Sequence, residues 1–494
     1  MIVRGVRGLS LQRIVHTNKC WIANFYFASS LHGPNGELNK LKNTSRLLGS
    51  NEQEPSSTTT ERYCYEFCQG YSKLPSGEVR DFLLHLAPSC RIDKQLVLEA
   101  ASTILKQNSD AKFDKLQKSL QSVLTPPINK IFSKIGQTRG GIKFLIDLRK
   151  DVLTQMKTLD PTSQEHKDLQ ELSQCLKNLL SVWISVGFMN IRRVTWDSAS
   201  SLLEKISVYE AVHPLRGWTD LKNRLGPYRR VFVYTHPSMS EEPLVVLHVA
   251  LTKEISGCMS SVLKEFRSVK GFNREIEPSS FHQSEQNIDE VDTAIFYSIT
   301  STQLGLQGIE LGNHLIKQAV SELRRELPGL SRFSTLSPIP GFKSWLLLEL
   351  MRYRRGDTTT PLTIQDKEIL ENIDATKPAE DTLSELVKSG SWVGDKKLEN
   401  GLNKVLLKLC ARYLYLEKRR NKALNPVANF HIRNGATLYR INWLADPSPR
   451  GISQSCGIMV NYRYYLPEVE DNANKYLTEH TIPVDKQVLQ LLDM

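Results

Sequence analysis

The chain has 494 residues, 40% of them hydrophobic, and a formal net charge of +11, which is material for two or three domains with buried cores. No run approaches the roughly 20 apolar residues that a membrane-spanning helix needs; the longest apolar pieces are short and strand-like, such as 244–251. The positive charge points to an anionic partner, but Arg4, Arg7, Arg13 and Lys19 stand in a leader with no acid before Glu37, and the remainder is too mildly basic for a nucleic-acid binder.

The leader, 1–36, bears arginines, lacks acids and mixes them with apolar residues, the composition of a mitochondrial transit peptide. The expected location is therefore the mitochondrial matrix, with cytoplasm or peroxisome as alternatives. Residues 50–60 are polar and nearly free of apolar side chains, so 37–62 reads as a flexible linker. From 63 to 209 the periodicity is helical. Phe113, Leu116, Leu120, Val123 and Leu124 share one face and stop at Pro126-Pro127, while Leu169, Leu172, Leu176, Leu179, Leu180 and Trp183 form a second stripe. Gly140-Gly141 precedes a third helix, 142–156, which Asp160-Pro161 ends. This region reads as an all-α packing or oligomerisation module without a polar constellation of its own. The eight cysteines are scattered, only Cys64 and Cys68 are close, and no histidine cluster completes a zinc site; no metal is expected.

Strand signals begin after Gly226-Pro227. The β-rich runs are 230–235, 244–251 and 294–299, with a polar insertion, 270–292, before the last. Then follow a loop over 300–308, a helix from Glu310 to about 327, a Pro328-Gly329 stop and a strand over 331–336. Helices over 345–354 and 402–418 precede a short helix with both ends written into the sequence. Asn425 suits its N-cap, Pro426 its first position and Asn434-Gly435 its left-handed exit. That helix carries His431, whose ordinary pKa lies near neutrality. Strands over 438–443 and 457–466 and a C-terminal amphipathic helix complete an α+β chain, with 63–209 helical and 210–494 mixed.

Two stretches carry chemistry. Gln307-Gly308-Ile309-Glu310-Leu311-Gly312-Asn313 lies between a strand and a helix, where free N–H groups and the helix dipole favour phosphate. It resembles the pyrophosphate-binding loop of the GNAT acetyltransferases, with Glu310 replacing the motif's first glycine. Asn429-Phe430-His431-Ile-Arg-Asn-Gly435 resembles that family's Asn-Phe-Tyr-x-x-x-Gly helix, with histidine in place of the tyrosine acid. The implied fold is an N-terminal helical bundle followed by an acetyltransferase-like (GNAT) domain.

Longer strings narrow the resemblance. Leu336-Ser337-Pro-Ile-Pro-Gly341, Ala423-Leu-Asn-Pro-Val-Ala-Asn-Phe-His431, Gly226-Pro-Tyr-Arg-Arg230, Glu242-Pro-Leu-Val-Val-Leu-His-Val-Ala-Leu251 and Asn461-Tyr-Arg-Tyr464 are similar to those of the malonyl-CoA decarboxylases. The resemblance implies decarboxylation of malonyl-CoA to acetyl-CoA and carbon dioxide, feeding fatty-acid metabolism, without metal or prosthetic group, coenzyme A being part of the substrate. It implies a homo-oligomer, with a tetramer favoured, joined through the helical domain. Ser337 and His431 match the family's catalytic pair, His431 as proton donor and Ser337 as proton acceptor or substrate-binding hydroxyl, supported by Glu310 and Tyr464. The chain ends Leu492-Asp493-Met494, not in the peroxisomal Ser-Lys-Leu of some members. Two alternatives remain: an acyl-CoA-dependent acyltransferase with His431 as base, and a non-catalytic acyl-CoA sensor.

Overall fold

The computed structural model describes residues 36–49, 56–106, 110–210, 213–215, 217–264, 288–309, 311 and 315–493. The expected leader, up to residue 35, and the polar insertion, up to residue 287, lie outside the described residues.

The first half is helical because its apolar residues recur every three or four positions and can be buried together. Helices Ser57–Lys73, Ser76–Leu86, Pro127–Gly136, Gly141–Met156 and Gln164–Trp183 enclose a core of Phe67, Phe82, Phe132, Leu145, Leu148, Leu169, Leu172, Leu176 and Leu180. Two expectations need correction here. The linker 37–62 contains a helix, Gly36–Gly49, whose Leu38, Leu41 and Leu48 join this core, and the polar run ends in an N-cap, since Ser56 accepts from Thr59 N. The spacing of those leucines puts them on one face, which outweighs the polar composition around them. The 63–209 region is also not all helical: Asn190–Val194 is strand β1 of the sheet.

The stripe on the Asp110–Val123 helix forms, with Leu116, Leu120 and Val123 half-buried and its two ends exposed. Phe113 and Leu124 are 47% and 46% exposed, and in the adjoining Lys94–Leu105 helix Leu98 and Leu105 reach 58% and 85%.

The second half is built on one mixed sheet. Strands β2 (Arg229–Thr235), β3 (Val245–Thr252) and β4 (Thr293–Ser301) continue β1 as an antiparallel meander. The chain then crosses through helix Leu315–Glu326 to β5 (Arg332–Thr335), which lies parallel to β4. A two-residue strand, β6 (Ser337–Pro338), follows, then a small hairpin of β7 (Lys418–Arg419) and β8 (Lys422–Ala423), and finally β9 (Thr437–Asn442) and β10 (Met459–Tyr464). β10 lies between β9 on one side and β5 and β6 on the other.

The parallel pair is short. Its last register partners are Phe296 and Thr335, followed by Leu336 N donating to Phe296 O at 3.2 Å. Beyond that point β4 runs on beside β3, whereas Ser337-Pro338 stays with β10, which already pairs with Phe333 and Ser334. The two strands part there.

One face of the sheet is covered by helices Leu315–Glu326, Phe342–Arg354, Lys396–Tyr415 and Pro426–Arg433, in a core containing Phe296, Phe333, Trp345, Leu409 and Ile432. The expected single C-terminal helix is two, Val469–Thr478 and Lys486–Leu492. Pro483 lies between them, where it cannot continue a helix, and its carbonyl accepts from Leu438 N at 2.8 Å.

The halves share a core. Tyr234, Val245, Leu306, Leu311 and Leu315 pack into the helical cluster. Arg149 of the Gly141–Met156 helix, 4% exposed, donates to the carbonyls of Gly305 at 2.5 Å and Gln307 at 2.9 Å. A side chain on Gly305 would put its Cβ 1.9 Å from the Ile146 carbonyl oxygen, so this approach requires glycine.

Candidate active site

The helix bearing His431 is aimed by its caps. Asn425 accepts from Val427 N at 3.0 Å and Ala428 N at 2.9 Å, and Pro426 takes the first helical position. The same Asn425 donates to the carbonyl of Pro340 at 2.9 Å. The cap therefore ties the histidine helix to the loop that follows Ser337. Tyr413 donates to that carbonyl as well, at 3.1 Å. At the far end Gly435 turns with φ +83°, where a Cβ would lie 2.0 Å from the Val469 carbonyl oxygen.

This scaffold brings three of the expected residues together. Ser337 Oγ lies 3.2 Å from His431 Nε2, and Tyr464 Oη lies 2.9 Å from His431 Nδ1. All three are nearly out of solvent, with Ser337 5%, His431 3% and Tyr464 4% exposed. The imidazole stacks on the ring of Tyr462 with centroids 4.7 Å apart, and Phe430 meets it edge-on at 5.0 Å. Both ring nitrogens and both flanks of the ring are thus held.

Burial controls the protonation of these groups. It pushes His431 from its ordinary value down to about 3, because a charged imidazolium loses hydration there. The expectation of a group titrating near neutrality is corrected accordingly: the buried imidazole is neutral at pH 7. Tyr464 and Tyr462 are pushed well above the ordinary phenol value by the same burial, so Tyr464 is a hydroxyl able to donate or accept.

The expected coenzyme loop is only partly described. Gln307, Gly308, Ile309 and Leu311 follow β4, whereas Glu310, Gly312 and Asn313 lie outside the described residues. Gly308 takes φ +77°. The N–H groups of Gln307, Ile309 and Leu311 close turns onto the carbonyls of Leu304, Leu306 and Ile309. Leu311 is buried in the helical core, so it anchors the loop.

Two residues of the site do not stand out in the sequence. Thr335 Oγ1 accepts from Ser337 Oγ at 2.9 Å and from Tyr462 N at 3.1 Å. Asn461, fully buried, donates to the carbonyls of Thr335 at 2.6 Å and Ser256 at 3.0 Å. The period of two along a strand, which puts 335 and 337 on one face, was the available signal for Thr335. Among the described residues no group of three or more His, Cys, Asp or Glu side chains is placed to hold a metal ion.

Residues 187–494 match the family model for the malonyl-CoA decarboxylase C-terminal domain, and 91–184 match that for its N-terminal domain. The chain belongs to the malonyl-CoA decarboxylase family. The mitochondrial malonyl-CoA decarboxylase of Anser anser anser is 41% identical over 447 residues, covering 89% of this chain and 85% of its own. That of Rattus norvegicus is 40% identical over 450 residues, with 89% and 87% covered. Among solved structures, the malonyl-CoA decarboxylase of Rhodopseudomonas palustris superposes with a TM-score of 0.76 at 30% identity, covering 92% of this chain and 93% of that one. The one from Agrobacterium vitis gives 0.75 at 29%, with 92% and 99% covered. The break between the two malonyl-CoA decarboxylase domain models falls at 184–187, between the Gln164–Trp183 helix and β1, so the change from helix to sheet comes earlier than the expected 209/210.

Proposed function

We propose that this chain is a mitochondrial enzyme that decarboxylates malonyl-CoA to acetyl-CoA and carbon dioxide, with Ser337 and His431 at the reacting acyl group. The observation that carries the residue assignment is the buried Tyr464–His431–Ser337 chain at the point where β4 and β5 part. Family membership carries the reaction.

In the reaction the bond between the carboxylate carbon and the α-carbon breaks and carbon dioxide leaves. The electron pair stays on the α-carbon and spreads into the thioester carbonyl as an enolate, and the α-carbon then takes one proton. The thioester is itself the electron sink, so the proposed chemistry calls for no metal or prosthetic group. The protein must supply oriented donors and one proton. The His431 Nε2–H, resting on Ser337 as its acceptor, is placed to give that proton. Its low proton affinity keeps it neutral until a malonyl carboxylate brings a negative charge that raises the affinity and draws a second ring proton from solvent onto Nδ1. The Tyr464 oxygen accepts from that Nδ1–H, so that loss of the Nε2 proton to the α-carbon leaves a neutral imidazole, and exchange with solvent returns the ring to its starting tautomer.

The acetyltransferase-like reading of the second domain is supported by its topology. An antiparallel meander leads through a helix to a parallel neighbour, and the last strand is inserted between that neighbour and the penultimate one. In this reading coenzyme A enters between the parting strands and its pyrophosphate meets the 307–313 loop, with Glu310 supporting the Ser337–His431 pair. The partly exposed apolar face of the Lys94–Leu105 and Asp110–Val123 helices supports self-association through the helical half. For location we take the mitochondrial matrix.

The test is to incubate purified protein with malonyl-CoA alone and to follow carbon dioxide and acetyl-CoA. Release of both without an acceptor is expected. Turnover only after an amine is added would replace this reading by acyl transfer, and binding without turnover would replace it by a sensor.

A further inference from the structure

We propose that Thr335 is a positioning residue: by holding the hydroxyl proton of Ser337 it keeps His431 in the tautomer whose ring proton is on Nε2, facing the reacting group. The proposal deepens the decarboxylase reading and rests on it for the consequence in turnover.

The argument is a count of protons along one chain of contacts. Tyr462 N–H, a fixed donor, points at Thr335 Oγ1 from 3.1 Å, and Ser337 O–H donates to the same oxygen from 2.9 Å. Ser337 has a single proton. With that proton on Thr335, its oxygen can only accept along the 3.2 Å contact to His431 Nε2, so Nε2 must carry hydrogen. A neutral imidazole then has a bare Nδ1, which accepts from the Tyr464 hydroxyl at 2.9 Å. Every contact is satisfied in one direction: Tyr464 to His431, His431 to Ser337, Ser337 to Thr335.

The surroundings hold this order. The stacked Tyr462 and edge-on Phe430 keep the ring from turning over. The backbone of Thr335 is fixed through Asn461, whose Oδ1 in turn receives Asn442 Nδ2 at 2.8 Å. Valine at 335 keeps the shape and removes only the acceptor. Ser337 then turns its proton to Nε2, and the ring proton must move to Nδ1, away from the substrate.

The tautomer is read directly by 15N NMR of ring-labelled histidine, with the His431 signals identified by their loss in His431→Asn. The wild type is expected to carry hydrogen on Nε2, and a ring proton on Nδ1 overturns the proposal without any variant. In Thr335→Val the proton is expected on Nδ1, with kcat lowered at least about tenfold and KM changed less than about threefold, as for misdirection of a proton donor rather than loss of binding. Thr335→Ser is expected to recover the Nε2 signal and most of the lost kcat. An Nε2 proton retained in Thr335→Val, or no recovery in Thr335→Ser, refutes it. The spectra need no turnover. If the wild type releases no carbon dioxide but the tautomer moves as stated, decarboxylation falls and the positioning role stands; the converse pattern removes only Thr335.

Discussion

The sheet carries a buried serine–histidine cluster on each face, and the two behave differently. On the face opposite the His431 helix, Glu210 lies with His248 Nε2 at 2.9 Å and accepts from Ser298 Oγ at 2.9 and 3.0 Å and from His213 N at 2.9 Å. Burial alone would raise Glu210, but the contacts with His248, His213 N and Ser298 outweigh it and bring the carboxyl down to about 2. The hydroxyl of Ser298 and the N–H of His213 both end on one carboxylate, and Ser298, Glu210 and His248 are sealed. In the Ser337 cluster no carboxylate among the described residues closes the contacts. The chain of hydroxyls and imidazole is neutral, and it sits where two strands part. A buried serine–histidine contact alone thus does not separate the two clusters; what differs is that one closes on a carboxylate and the other is a neutral chain.

The sharpest way to break the comparison is to remove each cluster in turn. Ser337→Ala and His431→Asn are each expected to lower kcat by about two orders of magnitude or more, the scale of losing a general acid or its partner, with Tm little changed. Carbon dioxide release near the wild-type rate from either variant would reject its role. Glu210→Leu is expected to do the opposite. Leaving buried donors without their acceptor costs about 3–5 kcal/mol, visible in denaturant unfolding, while kcat per folded molecule stays within about twofold of the wild type. A large loss of kcat with unchanged stability would place that cluster in the chemistry. Tyr464→Phe, which removes one oriented hydroxyl, is expected to cost about 1.4 kcal/mol of barrier, or tenfold in kcat.

A further effect concerns acid. His431 and His213 are held at about 3 and about 4 by burial, below the unfolded value near 6.5. The unfolded chain therefore binds more protons between those values, and stability falls as pH drops through about 6.5 towards 4. Glu210 adds its loss only below its unfolded value near 4.5. Tm should fall from pH 7 to pH 5, and less steeply in His431→Asn. Equal slopes would mean that His431 is not held neutral in the folded protein.

The helix at His431 was legible because Asn425, Pro426 and Gly435 each leave a local signature. The partnership of Ser337 with His431 was not, since 94 residues separate them and no local rule spans that distance; the resemblance supplied it. β1 leaves no sequence signal because only Val194 of its five residues is buried, so the strand shows no alternation. Helices Ile364–Glu371 and Ala379–Ser389 are short and the first carries little periodicity, although Thr363 and Asp366 form a capping box at its start. Within the expected linker, 37–49 is helical because three leucines stand at helical spacing, while 50–55 lies outside the described residues.

The guanidinium of Arg149 has a consequence for attempts to divide the molecule. A fragment starting at the sheet would leave the Gly305 and Gln307 carbonyls without their donor and would expose Tyr234, Val245, Leu306, Leu311 and Leu315 to water. The loop that leads to the expected coenzyme site would lose its anchorage although none of its own residues had been removed. The boundary drawn by sequence families at 184–187 is a boundary of homology; as a folding unit the chain is continuous across it.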